Sequence, residues 1–100
     1  MTSQDKLFRI DENGYLPQVT QIESPNYDLR PSKQTISLVV IHCISLPPNK
    51  FGNSHIEDFF KNDLDISQHA YFKKIKDLKV SSHFLIKRKG ELIQFVSCLK

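Results

Sequence analysis

The side chains in this chain that could bind a metal or act as nucleophiles are His42, Cys43, His55, His69, His83 and Cys98. His42 stands out by its setting. It closes the run "LVVIH", Leu38 to His42, and Pro47-Pro48 stops the apolar pattern soon after. Imidazole is the commonest protein metal ligand near neutral pH. In α/β sheets, ligands favour the carboxyl ends of strands. Yet a catalytic zinc takes about three protein ligands, so one imidazole makes no metal centre. No close pair such as HxxxH joins it. Spacing alone therefore leaves two readings of His42 open, a metal ligand and a satisfied histidine at a strand end. Cys43 adjoins it, but successive strand residues point to opposite faces, so Cys43 reads as a small core residue. His55 falls early in a predicted helix, His69 in a polar loop and His83 within a strand. GxSxG, Walker and GxGxxG motifs are absent.

The elements that would position these residues follow from periodicity. Residues 1–34 read as an irregular segment, with a turn at Asn13-Gly14 and a proline-punctuated surface stretch from Ser24 to Thr35. Tyr27 and Leu29 are expected to tuck inward from that stretch. Ile36 to Ile41 is rich in Val and Ile and nearly all apolar, which predicts a central strand covered on both faces. Ser54 to Leu64 predicts a helix, with Ile56, Phe59, Phe60 and Leu64 on one face. Ser54 and Glu57 have the spacing of a capping box. A second helix is expected from about Gln68 to Leu78, with Tyr71, Phe72, Ile75 and Leu78 inward. His83–Arg88 and Glu91–Val96 flank Lys89-Gly90, a hairpin signal. The order over 35–97 is strand, helix, helix, strand, strand, which predicts an α/β fold with a mixed central sheet flanked by helices. Strands apolar on both faces need two covering layers, and these helices supply about one. The sequence thus reads as one incomplete domain over 1–100.

Composition excludes several classes. At 100 residues, one domain is the expectation. With 39% hydrophobic and 25% charged residues the chain is not of disordered type. No apolar run of about 18 residues predicts a membrane span. Met1 to Arg9 lacks the apolar centre of a secretory signal, which leads to the expectation of a cytoplasmic protein with reduced cysteines. A net charge of +3 gathers in lysines at 73, 74, 76 and 79 and in Lys87-Arg88-Lys89. These read as solvated faces, and no nucleic-acid motif accompanies them.

Taken in order, "SPNYDLRP" (24–31), "ISLVVIHCISLPP" (36–48), "FG" (51–52), "LD" (64–65) and "HAYFKKIKDLKVSSHFLIKRKGELIQFVS" (69–97) resemble the N-terminal half of a zinc-dependent N-acetylmuramoyl-L-alanine amidase. The resemblance runs from roughly Pro17 to Ser97, and its most specific part joins "IHxISLPP" to "LxVSxHFLI". That family shares its fold with phage-lysozyme-type amidases and peptidoglycan recognition proteins.

The resemblance implies that His42 is the first ligand of a zinc ion that polarises an amide carbonyl and activates water. The scissile bond would join the lactyl group of muramic acid to L-alanine, in anhydromuropeptides recycled from the cell wall. His83 matches a supporting position beside the site. Lys79 stands where the family shows an arginine that engages the acidic stem peptide, and lysine lacks the planar two-bond grip. Tyr71 and Leu78 match positions near the substrate cleft, with plain helix packing as the other reading. Cys43 replaces an asparagine common in the family. The family's further zinc ligands and its catalytic glutamate have no counterpart here. No catalytic residue is therefore expected within this chain, which alone should be inactive. The parent is expected to be a monomer without nucleic-acid or membrane partners. A non-catalytic muropeptide-binding module is the alternative function.

Overall fold

The hairpin near the C-terminal end of the chain forms where the sequence predicts it. In this computed structural model, which describes residues 9–31 and 35–100, β2 (Phe84–Ile86) pairs antiparallel with β3 (Leu92–Gln94). Lys87 N–H donates to Glu91 O at 2.8 Å, and Gly90 supplies a φ of +91° at the tip. A two-residue strand, β1 (Thr20–Gln21), lies parallel to β3 on its other side. The sheet is thus mixed, in the order β1-β3-β2, with β3 central.

Two short helices complete the layers: α1 (His55–Phe60) and α2 (Phe72–Ile75). Both are shorter than their apolar patterns predict. Their buried faces meet the sheet in one core of Leu46, Phe59, Phe60, Phe72, Ile75, Ile93, Phe95 and Val96. Phe60 and Phe95 meet edge to face with ring centres 5.0 Å apart, a favoured aromatic geometry. No helix among the described residues is long and apolar enough to cross a membrane.

The N-terminal arm is tied to β3 by one buried side chain. Gln94 is 1% exposed. Its Oε1 accepts from Leu16 N–H at 2.8 Å, and its Nε2 donates to Gly14 O at 2.9 Å and Val96 O at 3.0 Å. A buried amide needs such partners, because an unmade bond costs about 1–3 kcal/mol.

Several expectations are corrected. The run Ile36–Ile41 is not a strand, and Leu38, Val39, Val40 and Ile41 are 76–91% exposed. Among the described residues its backbone makes no hydrogen bond and joins neither sheet edge. Apolar composition becomes a strand only where a ladder partner and a covering layer exist, and here neither is at hand. Leu78 is 53% exposed rather than inward, because α2 ends at Ile75. Tyr27 and Leu29 also face outward. The capping box does not form: Ser54 makes no capping bond, and Glu57 turns instead to Lys87, with Oε2 2.8 Å from Nζ. A partly buried ion pair stands where the sequence suggests a local cap.

Candidate functional site

Residues 25–31 form one wall of two adjoining hollows. The first, of about 300 Å³, is lined by Pro25, Asn26, Tyr27, Asp28 and Lys79. The second, of about 360 Å³, adds Arg30, Ser82, His83 and Lys100 around the same loop. The loop is held from within. Ser24 is buried, its Oγ–H donates to Phe60 O at 2.5 Å, and its backbone N–H donates to Phe95 O at 2.9 Å.

The candidate residues divide by location. Lys79 lies on the first hollow, exposed, and among the described residues it forms no ion pair. His83 lies on the second, half-buried. Its Nε2 is 2.7 Å from Lys100 O. A carbonyl only accepts, so this contact calls for the tautomer with the proton on Nε2. Tyr71 caps α2 and packs its ring against the core. Leu78 lies exposed one residue before Lys79. His42 is exposed on the 36–44 segment, which forms no helix or strand, and it lines neither hollow. The structure thus gathers Lys79 and His83 around one loop and leaves His42 outside that group.

No three His, Cys, Asp or Glu side chains among the described residues come together to hold a metal ion. His55 and His69 both lie against Phe72, with ring centres 4.9 Å and 5.6 Å away, and so belong to the packing of α2. His69 Nδ1 accepts from Tyr71 N–H at 3.0 Å. By themselves these residues do not fit a zinc centre: His42 offers one ligand only. Both cysteines are free. Burial pushes the Cys98 thiol up from its ordinary pKa, with Arg30 acting in the opposite direction.

The hollows carry positive charge from Lys79, Arg30 and Lys100 against Asp28. Arg30 Nε–H donates to Cys98 O at 3.2 Å. Lys100 lies 4.8 Å above the Tyr27 ring, within cation–π range. Such a wall suits an anionic, partly apolar ligand. Sequence reading missed Asn26, whose amide joins the loop to the segment bearing Lys79 (Nδ2 to Val80 O, 3.0 Å). Its partners lie far along the chain, so no local pattern marks it.

Comparison with known proteins places this geometry. The profile described as N-acetylmuramoyl-L-alanine amidase matches residues 32–100. A Haemophilus influenzae protein named 1,6-anhydro-N-acetylmuramyl-L-alanine amidase AmpD is 49% identical over 86 residues, covering 86% of this chain and 47% of the relative. The Escherichia coli protein of the same name is 44% identical, over 85% of this chain and 46% of its own length. A crystal structure of a selenomethionine AmpD derivative superposes with a TM-score of 0.81 at 43% identity, covering 86% of this chain and 48% of that one. The chain spans about half the length of the curated relatives it matches. The small mixed sheet, the flanking helices and the profile spanning residues 32–100 agree, and the chain belongs to the N-acetylmuramoyl-L-alanine amidase family.

Proposed function

We propose that this chain is the N-terminal part of an amidase that cleaves the bond between the lactyl group of an anhydromuramic acid and the L-alanine of its stem peptide. The reaction would serve recycling of cell-wall fragments in the cytoplasm. The observation that carries the reading is the 49% identity to a relative named 1,6-anhydro-N-acetylmuramyl-L-alanine amidase. In this reading His42 is one ligand of a zinc ion, and the other ligands and the acid–base group come from the part of the domain that this chain does not cover. Zinc, when bound, supplies Lewis-acid polarisation of the amide and an activated water. Lys79 meets a carboxylate of the stem peptide as a point charge. Tyr71 and Leu78 belong near the substrate cleft by the resemblance alone, since neither lines either hollow. His83 supports that cleft from the wall of the second hollow. The whole protein acts as a monomer, without nucleic acid or membrane.

The test compares this chain with the product of the whole reading frame. Each is incubated with zinc and an anhydromuramyl tripeptide, and free peptide is followed by mass spectrometry. Release by the longer product and none by this chain is expected. No release by the longer product overturns the amidase reading, and release by this chain alone overturns the division of ligands.

A second reading, a muropeptide-binding module, is favoured by one observation. Lys79 borders a hollow without a paired carboxylate, while no metal-binding group is assembled among the described residues. Calorimetric binding of the tripeptide with no hydrolysis by either product would select it.

A further inference from the structure

We infer that Asn26, locked by Asn62, is a positioning residue that holds Lys79 on the cleft. The inference rests on the reading that Lys79 meets the acidic stem peptide. Residues 79–82 belong to no helix or strand. Among the described residues, only one hydrogen bond ties this stretch to another part of the chain, from Asn26 Nδ2 to Val80 O at 3.0 Å. Val80 directly follows Lys79, so this bond sets where the lysine stem begins.

Asn26 is itself over-determined. Its Nδ2 also lies 2.7 Å from Asn62 Oδ1 and 3.2 Å from Phe60 O, and its Oδ1 accepts from Asn62 Nδ2 at 3.0 Å. The carbonyls of Phe60 and Val80 only accept, so they fix which end of Asn26 is the donor, and the reciprocal amide pair orients Asn62 to match. Asn62 is placed by how α1 ends. It has a φ of +65°, and Asp63 N–H donates to Asp58 O at 2.8 Å while Asn62 N–H donates to Phe59 O at 3.1 Å. That is the Schellman arrangement, and Asn is one of the few residues suited to its left-handed position. The sequence of α1's stop thus aims an amide at Asn26, Asn26 grips Val80, and Lys79 takes its place opposite Tyr27 and Asp28.

A positioning role predicts coupling between Asn26 and Lys79, which a merely structural role does not. The assay is calorimetric titration of an anhydromuramyl tripeptide into the protein and its Lys79→Met, Asn26→Ala, Asn62→Ala and Asn26→Ala/Lys79→Met variants. Lys79→Met should weaken binding about tenfold, the loss of one hydrogen bond to a charged group. Asn26→Ala should weaken it about fivefold, and Asn62→Ala less. In the Lys79→Met background, Asn26→Ala should change nothing further. An equal loss in both backgrounds, or none in either, overturns the positioning role. No change in Lys79→Met overturns the stem-peptide reading of Lys79 instead, and the inference falls with it. Should Asn26→Ala fail to fold, Asn62→Ala in both backgrounds decides, because Asn62 is exposed and its loss loosens Asn26 without removing it.

Discussion

Replacing Lys87 by methionine should destabilise this fold far more than replacing its partner Glu57 by leucine. The Glu57 side chain is 10% exposed and that of Lys87 23%. Among the described residues Glu57 Oε1 is buried with no partner already, and Oε2 depends on Lys87 Nζ at 2.8 Å. Lys87→Met strips the carboxylate of its only counter-charge among the described residues. Breaking a buried pair from one side costs about 3–5 kcal/mol. Against a total stability of about 5–15 kcal/mol, and with about 4–8 °C lost per kcal/mol in a domain of this size, the melting temperature should fall by roughly 12–40 °C. Glu57→Leu leaves a lysine that keeps its bond to Asn53 O at 3.2 Å and reaches water along its stem. That variant should lose about 1 kcal/mol. The double variant Glu57→Leu/Lys87→Met should return to within about 1 kcal/mol of the parent, since apolar replacement of a buried pair is often neutral. Urea melts followed by circular dichroism measure all three. A Lys87→Met variant within about 1 kcal/mol of the parent, or a double variant no better than it, would refute the reasoning.

Three further outcomes are expected. Gly14→Ala should cost at least about 1 kcal/mol more than Gly90→Ala, both read by thermal melts. Both glycines have positive φ, but a Cβ at Gly14 would strike Ser97 Oγ and lie 2.9 Å from Leu99 N, whereas at Gly90 it meets open space. Val39→Ser should shift stability by less than about 0.5 kcal/mol, as befits a side chain 79% exposed, while Phe95→Ala at 0% exposure should cost about 3–5 kcal/mol. A loss above about 2 kcal/mol in Val39→Ser, seen by the same melts, would mean the run is packed after all. Iodoacetamide should label exposed Cys43 before half-buried Cys98. Burial raises the Cys98 thiol, so its thiolate fraction is small near neutral pH, and labelling there should still be accelerating as the pH passes its ordinary value of 9.0 rather than levelling off at it. Mass spectrometry of the modified peptides over a pH series checks both the order and the sign.

The hairpin, the Asn13-Gly14 turn, the inward face of α1 and the inward Phe72 and Ile75 of α2 were legible because their signals are local, whereas Leu78 was misplaced because α2 ends before it. Gly at positive φ and apolar residues at helical spacing need no knowledge of the rest of the chain. β1 was not legible: two residues carry no periodicity, and Thr20–Gln21 is a strand only because β3 offers its edge. The run Ile36–Ile41 misled in the opposite direction. Its composition suits a central strand, but no partner and no covering layer stand beside it among the described residues.

The candidate site divides in the same way. The residue types of His42, Lys79 and His83, and the motifs that hold them, are properties of the sequence, and they sufficed for the family. That Lys79 and His83 border one loop, that His42 lines neither hollow, and that Glu57 chooses Lys87 over a cap are decisions of tertiary structure. The physical reason is sequence separation. The contacts that place these groups are not between sequence neighbours: Lys87 to Glu57 and Asn26 to Val80 join residues 30 and 54 positions apart, and His83 to Lys100 residues 17 apart. Which distant group wins a buried carboxylate or amide depends on packing around it, and packing exists only once the chain has folded.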